Sequence, residues 1–176
     1  MRKLKLHELN RINNEEFKKA EKLPLIVVLD NIRSMNNTGS VFRTGDAFRI
    51  NCLHLCGITA KPPHKDIHKT ALGAEDSVNW VYFEKTIDSV NLLKKNGFKI
   101  IAIEQTTSSK NLLNYEFKNN YKFAVIFGNE INGVDQSIID LCDDCIEIPQ
   151  YGTKHSLNIS VSAGIVIWEI FKKLDI

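Results

Sequence analysis

The sequence lacks the features that would identify a membrane, secreted or phosphate-loop protein. None of its 176 residues lies in an apolar run near the roughly 18 residues of a transmembrane helix. Residues 1–10 contain no apolar segment of the kind found in secretion signals. No G-x-x-x-x-G-K-[ST] or G-x-G-x-x-G motif is present, so a nucleotide-cofactor enzyme on an open α/β sheet is only a weaker alternative. We therefore expect a cytoplasmic protein without membrane contact.

A strong excess of charge is also missing, because 23 lysines and arginines face 21 aspartates and glutamates for a net charge of +2. This balance does not indicate a nucleic-acid-binding protein, but it allows one if the basic side chains cluster in space. Basic residues are frequent near the start of the chain: Arg2, Lys3, Lys5, Arg11, Lys18, Lys19 and Lys22. They form either the solvated face of a helix or a phosphate-binding surface.

Cysteine occurs only four times, and its positions raise the question of a metal site. Cys52 and Cys56 alternate with His54 in an apolar run, so these side chains would share one face of a strand. Cys142 and Cys145 enclose two aspartates without a turn glycine. Four thiolates are able to bind zinc, but this spacing favours buried free thiols in a reducing compartment. We predict no metal site.

Apolar patterning predicts strands and helices that alternate along the chain. An amphipathic helix is predicted over residues 5–22 and ends before Pro24. The apolar run at 25–29 is typical of a strand buried on both faces. Further strands are predicted at 52–56, 79–83, 98–103, 123–127 and 145–148, further helices at 38–48, 87–96, 135–141 and 157–173, and loops around Pro62-Pro63 and at 105–110. This order predicts an α/β fold whose mostly parallel sheet is flanked by helices. The last helix is apolar almost all round in its first half, so we expect it to pack against the sheet and a second chain.

Ligands of such sheets bind at the carboxyl ends of the strands, so we expect the chemistry in the loops after residues 29, 103, 127 and 148, several of which carry unusual residues. In the loop after residue 29, Asn36 or Asn37 is expected to cap the following helix. Arg43 lies further along that helix and could reach back over its N-terminus, because helical side chains lean that way. Arg33 and Arg43 could then flank a phosphate, or each could form a surface salt bridge.

Two other loops of interest follow residues 127 and 148. Gly128 and Gly133 would let the backbone approach a ligand, or would simply form a turn. In the later loop, Ser156 could cap a helix, whereas Asn158 is expected to be a buried amide that needs partners. A nucleophilic pair of His155 and Ser156 is disfavoured, because adjacent side chains at a helix start point apart.

Three segments, in this order, resemble the SpoU (TrmH) family of RNA methyltransferases. They are Asn37-Thr38-Gly39-Ser40-Val41-Phe42-Arg43-Thr44, then Phe127-Gly128-Asn129-Glu130-Ile131-Asn132-Gly133, then Ile148-Pro149 through Gly152 with Ser156-Leu157-Asn158-Ile159-Ser160. Residues 69–74 also resemble a common family segment, and the similarity covers roughly residues 25–173. Two stretches are most similar to enzymes that 2′-O-methylate tRNA, above all to D-loop guanosine methyltransferase catalytic domains: Ile148-Pro149-Gln150-x-Gly152 and Ile103-Glu104-Gln105-Thr106.

The resemblance implies a fold, a cofactor and a partner. Residues 25–176 would form a SPOUT methyltransferase domain with a deep C-terminal trefoil knot, after an N-terminal helical extension at 1–24. Two copies would form a homodimer with the final helix at the interface. S-adenosylmethionine would bind in the knot on backbone groups near Thr106, Gly128, Ile148 and Leu157. The catalytic arginine would be Arg43, assisted by Asn37, Glu130, Ser156 and Asn158.

The resemblance also implies the reaction, which is 2′-O-ribose methylation of structured RNA. The expected substrate is tRNA. An rRNA substrate is one alternative, and a non-catalytic RNA-binding dimer of the same fold is another. The family's arginine is regarded as a general base, yet a guanidinium is effectively always protonated. We therefore expect Arg43 mainly to stabilise the developing alkoxide, while the proton leaves through water, phosphate or Ser156.

Overall fold

The computed structural model describes residues 1–174. The α-helices in chain order are α1 Asn14–Lys19, α2 Met35–Ala47, α3 Lys65–Ala71, α4 Ala74–Ser77, α5 Thr86–Lys95, α6 Gln136–Ile139 and α7 Ile159–Leu174. The strands are β1 Leu23–Asp30, β2 Ile50–Cys56, β3 Trp80–Phe83, β4 Phe98–Ile103, β5 Lys110–Asn111, β6 Lys122–Phe127 and β7 Asp144–Glu147. Short 3₁₀ turns occur at Leu6–Glu8 and Leu112–Asn114.

The strands form one parallel seven-stranded sheet in the order β3-β2-β1-β6-β4-β7-β5. Strand β1 lies inside this sheet and is buried on both faces. Leu25, Val27 and Leu29 contribute to a core shared with α2, α3, α4 and α7. Ile26 and Val28 contribute to a second core shared with α5 and α6. The predicted α/β fold, with a parallel sheet flanked by helices, is therefore confirmed.

The predicted helix over residues 5–22 is wrong. The segment contains only the 3₁₀ turn at Leu6–Glu8 and the short helix α1. Asn10 has a left-handed conformation with φ of 49°, which a continuous right-handed helix does not allow. Helix α1 starts instead at a capping box, in which Asn13 and Glu16 each bond the backbone of the other.

Several predicted boundaries also differ from the structure. The polar loop around Pro62-Pro63 is followed by two helices, α3 and α4, and the Thr/Ser-rich loop runs into β5. Helix α2 is capped by Ser34, whose side chain accepts from the Asn37 amide at 3.2 Å, so the predicted cap at Asn36 or Asn37 is wrong. Helix α7 begins at Ile159 and not at 157.

Helices α2 and α7 lie side by side and run parallel. Near their N-termini, the side-chain amide of Asn158 donates to the side-chain oxygen of Asn37 at 3.2 Å. At the C-terminal end of α2, the ring centroids of Phe48 and Trp168 lie 5.7 Å apart. The two helices therefore pack side by side, and their solvent-facing sides are together called the outer surface below.

This surface carries uncovered apolar side chains. Val161, Ile165 and Trp168 of α7 have exposed fractions of 50%, 37% and 50%. Their spacing of three and four residues places them on one helix face. Arg43 is exposed on the neighbouring α2.

Over residues 1–174, no helix combines the length and apolar character required to cross a bilayer.

The cysteine-rich strand β2 buries a histidine. Cys52, His54 and Cys56 lie on the same face, as predicted, and are all buried. All four cysteines are free thiols, but Cys142 and Cys145 are only partly buried, so the predicted burial is wrong for this pair. The Nδ1 atom of His54 is 2.7 Å from the hydroxyl oxygen of Ser89. Burial lowers the pKa of His54 to about 4, so this side chain is neutral in the folded protein near neutral pH.

We predict that His54 makes the fold sensitive to mild acid. An unfolded chain binds the histidine proton with a pKa near ~6.5, well above the folded pKa of about 4. Protonation therefore favours unfolding as the pH falls from about 6.5 towards 4. Between about pH 7 and pH 5 the free energy of unfolding should decrease by roughly 2 kcal/mol. Urea unfolding at both pH values should give a smaller loss for His54→Gln, which cannot take up a proton. An equal loss in both proteins would contradict the prediction.

Candidate active site

A cavity of about 710 Å³ opens at the carboxyl ends of β4, β6 and β7. Its lining comes from three separate parts of the chain, within residues 103–105, 127–134 and 147–162. The carboxyl ends of neighbouring parallel strands meet at one edge of the sheet, which is where open α/β sheets bind ligands. The loops that follow residues 103, 127 and 148, which the sequence had indicated, therefore lie around one cavity.

The loop after β6 is held by close contacts between backbone groups. A Cβ atom on Gly128 would lie well inside van der Waals contact of the Gly133 carbonyl and the Val134 amide. Asn129 and Gly133 exchange two backbone hydrogen bonds of 2.8 and 3.0 Å. The side-chain amide of Asn129 also donates to the Asn31 carbonyl at 2.7 Å. The loop is thus fastened to the end of β1, and only glycine fits at position 128.

Glu130 joins this loop to the start of α2. Its carboxylate accepts from the backbone amides of Arg33 and Ser34 at 2.9 and 3.1 Å, and from the Asn37 side chain at 3.2 Å. Partial burial acts to raise the pKa of Glu130, but these hydrogen bonds outweigh it and the net pKa is lowered. A carboxylate at a helix N-terminus is also favoured by the helix dipole.

Asn158 continues the same network to the start of α7. Besides its bond to Asn37, its side-chain oxygen accepts from the amide and the hydroxyl of Ser160 at 2.9 and 2.6 Å. Asn158 is therefore the helix cap, and the alternative of a cap at Ser156 is wrong. Asn158 is exposed in this chain, so its predicted burial is also wrong. The network links the N-termini of α2 and α7 to the cavity.

The predicted site residues fall into three groups. Those that line the cavity are Gly128, Glu130, Ile148, Ser156, Leu157 and Asn158. Asn37 contacts the cavity through Glu130 and Asn158. Thr106 lines a neighbouring groove, which it shares with Cys145. Arg43 is exposed on α2, six residues beyond Asn37 and so about 9 Å further along the helix axis.

Arg33 and Arg43 do not form the salt bridges that were the alternative to phosphate binding, within the described residues. Both side chains are exposed. They are therefore available to an external anion, although only the backbone amide of Arg33 takes part in the Glu130 network.

Sequence reasoning assigned no role to several residues that line the cavity, among them Glu104, Gln105 and Asn129. The carboxylate of Glu104 accepts from the amides of Gln105 and Val134 at 2.8 and 3.2 Å. The loop after β4 was expected to hold ligand-binding groups, and the location of Glu104 and Gln105 directly after this strand was the sequence signal that could have identified them. Which of residues 104–106 faces the cavity depends on how the chain leaves the strand, and periodicity does not reveal that.

Carboxylates dominate the charge of the cavity. Glu104, Glu130 and Glu147 contribute to its lining, beside apolar side chains such as Ile103 and Phe127. A cleft lined by negative charge concentrates cations and disfavours phosphate groups. The cavity thus suits a positively charged organic ligand better than a nucleoside polyphosphate. Residues 1–174 contain no cluster of three or more His, Cys, Asp or Glu residues arranged to hold a metal ion.

Comparisons of the sequence identify similar proteins. The family model described as the SpoU rRNA Methylase family matches residues 24–168. A protein of Aquifex aeolicus named tRNA (guanosine(18)-2′-O)-methyltransferase is 35% identical over 159 residues, which are 88% of this chain and 72% of that relative. A Borreliella burgdorferi protein, named as an uncharacterized tRNA/rRNA methyltransferase, is 33% identical over 162 residues, or 92% of this chain and 69% of that relative.

Solved structures share the fold. The crystal structure of an A. aeolicus TrmH/SpoU tRNA modifying enzyme has a TM-score of 0.79 at 27% identity, covering 92% of this chain and 80% of that one. An AdoMet-bound rRNA methyltransferase from Sinorhizobium meliloti has a TM-score of 0.81 at 22% identity, covering 90% and 60%. At that identity the second structure is similar in fold alone.

Proposed function

The chain belongs to the SpoU methylase family, and we propose that it methylates the ribose 2′-oxygen of RNA with S-adenosylmethionine as donor. We favour tRNA as substrate, because the A. aeolicus relative is named for 2′-O-methylation of a tRNA guanosine. The alternative is rRNA, since the B. burgdorferi relative is named for both RNAs. The observation that carries the proposal is the acidic cavity, whose loops are hydrogen-bonded to the N-termini of α2 and α7.

The cavity fits this donor in size and chemistry. Its volume of about 710 Å³ lies within the range of small-molecule sites, about 300–1,000 Å³. Gly128, Ile148 and Leu157 border it, so backbone groups and aliphatic side chains are available to hold adenine. The carboxylates of the lining would balance the sulfonium and ammonium charges. When bound, the donor supplies an electrophilic methyl group and leaves as a neutral thioether. A contact of Thr106 with the donor stays a prediction.

The other site residues would position the ribose and handle its proton. Glu130 and Asn37 would fix the start of α2, and Asn158 would fix the start of α7, so that the two helices present a rigid edge to the sugar. Ser156, on the cavity wall, would accept or relay the proton of the 2′-hydroxyl. Arg43 would stabilise the developing alkoxide, because its guanidinium stays charged.

The outer surface of α2 and α7 supports a homodimer. Val161, Ile165 and Trp168 are uncovered there, and contiguous apolar patches on soluble proteins usually mark interaction sites. A two-fold axis would bring this surface against its own copy. Arg43 is exposed on the adjacent α2, and a dimer interface that covers it would shield its charge from water and so strengthen its interaction with the substrate.

We predict that Val161→Glu converts the dimer into a monomer. The substitution places a carboxylate in an apolar contact, but the folded monomer should tolerate it because Val161 is 50% exposed and lies in the first turn of α7. Sedimentation velocity measures the effect. The matched control is Leu92→Glu, since Leu92 is 44% exposed on α5, in the opposite helical layer. A Val161→Glu protein that remains dimeric would exclude this interface.

Strand order supports the proposed trefoil knot. Strand β7 lies between β4 and β5 in the sheet, so the segment that connects β4 to β5 must pass over strand β7. The chain that leaves β7 then reaches α7 in the same layer as α2. Its path passes the connection at residues 104–109, where the side-chain amide of Gln105 donates to the carbonyl of His155 at 2.8 Å. A knot would result if residues 149–158 thread through this connection.

We further propose that the methyltransferase domain comprises residues 25–176 together with the start of β1 at Leu23, and that the preceding extension contributes phosphate contacts. Its basic side chains Arg2, Lys3 and Arg11 are exposed, so RNA affinity should fall as salt rises. The free thiols are typical of a reducing compartment, which supports action in the cytoplasm.

The function is tested by incubating the purified protein with labelled S-adenosylmethionine and unmodified RNA. Total tRNA and rRNA transcripts are offered separately, and the products are mapped by mass spectrometry of nucleosides. We expect a 2′-O-methylated nucleoside in tRNA. Methylation of rRNA alone would favour the alternative substrate. Donor binding without methyl transfer to either RNA would contradict the assigned reaction, and absence of donor binding would favour a non-catalytic RNA-binding dimer.

A further inference from the structure

One wall of the cavity is attached weakly to the rest of the protein. This wall is the segment 149–157, between β7 and α7. It contributes four side chains to the lining: Gln150, His155, Ser156 and Leu157. In the described part of the chain, a single hydrogen bond fastens the segment, from the side-chain amide of Gln105 to the His155 carbonyl at 2.8 Å. Residues 151–157 are all exposed, so packing adds little to hold them in place.

The sheet order explains why the bond comes from Gln105. Strand β4 lies between β6 and β7, so the residues that follow β4 are flanked by the two loops that follow these strands. Glu104 holds one loop by accepting from the Val134 amide at 3.2 Å. Gln105 holds the other through His155. Two consecutive residues thus connect three walls of one cavity.

On the premise of the proposed function, we propose that Gln105 is a positioning residue that sets the 149–157 wall and thereby the affinity for the methyl donor. Its amide N–H donates to a backbone carbonyl, so the interaction requires a donor at this position. Methionine has nearly the same length and volume but no N–H group. Without the bond, the wall must be ordered when the donor binds, and that ordering reduces affinity.

The test compares wild type with Gln105→Met and with the matched variant Gln136→Met. Gln136 is an exposed glutamine on α6 that bonds Asp140 at 2.7 Å. It lines the neighbouring groove but neither the cavity nor the 149–157 wall. Hydrogen exchange of residues 150–158 is measured without ligand, and the Kd of S-adenosylhomocysteine is measured by calorimetry. In Gln105→Met we expect faster exchange confined to this segment and a Kd raised about 2- to 10-fold, as for loss of one hydrogen bond. Gln136→Met should match wild type in both.

Unchanged exchange in Gln105→Met would overturn the proposal, because the wall would then be held by other means. Faster exchange with an unchanged Kd would also overturn it, since the wall would not govern affinity. If Gln105→Met exchanged faster but the wild-type protein bound no S-adenosylhomocysteine, the result would instead refute the proposed function. Exchange that rises throughout Gln105→Met would mean a general loss of stability and would likewise overturn the positioning role.

Discussion

Replacement of Arg43 by alanine should lower the rate of methyl transfer about 10²- to 10³-fold, as removal of one group that stabilises a developing oxyanion does. Donor binding should be almost unchanged, because Arg43 is exposed on α2 and does not line the cavity. Stability should also be nearly unaffected, since an exposed side chain buries little surface. Single-turnover rates, with S-adenosylhomocysteine titration beside them, measure both effects.

Arg43→Lys separates the two roles that an arginine could have. A lysine keeps the positive charge but loses the planar fork, so we expect an intermediate rate and no new inflection in the pH–rate profile. If Arg43 were the general base, the profile would follow its deprotonation and would move to the lower pKa of a lysine. That displacement would contradict stabilisation of the alkoxide and would restore the base mechanism.

Gly128→Ala should weaken donor binding by about 5- to 150-fold, since overpacking costs about 1–3 kcal/mol. The new methyl group would overlap the Gly133 carbonyl and the Val134 amide, which are backbone atoms and cannot rotate away. The loop after β6 would have to open, and its hydrogen bonds to α2 through Glu130 would be disturbed. Calorimetric titration and thermal unfolding measure the two consequences.

Gly164→Ala is the matched control for this substitution. Gly164 lies within α7 and does not line the cavity, and a Cβ atom there would meet no atom within 4 Å. We expect its donor affinity to equal that of wild type. If Gly128→Ala bound the donor as well as Gly164→Ala does, the backbone approach at Gly128 would have no part in the site.

The class of the fold and the positions of its strands were predictable because they depend on local patterns. The run at 25–29 is apolar at every position, and this suits a strand that has a core on each side. Cys52, His54 and Cys56 were placed on one face because side chains alternate along a strand. The same local reasoning failed at residues 5–22, where apolar spacing indicated a helix but the left-handed Asn10 interrupts it.

Loop residues were harder to predict, because their neighbours come from distant parts of the chain. Asn158 was expected to be buried, yet it is exposed and caps α7, while its amide bonds Asn37, 121 positions away. Thr106, which was chosen as a donor contact, lines the neighbouring groove, and its contact with the donor stays a prediction. Gln105 lines both that groove and the cavity. A shift of one position along a loop decides which side chain faces a ligand.

By itself, the sequence determined that alternating apolar segments build a parallel sheet and that polar loops follow the strands. These features follow from the spacing of apolar side chains, which repeats every two residues in a strand and every three to four in a helix. Only the tertiary structure decided that β4 lies between β6 and β7. That arrangement brings Glu104, Gln105 and Glu130 around one cavity. The physical reason is that contacts between loops depend on the order of strands in the sheet, which long-range packing selects and local periodicity does not encode.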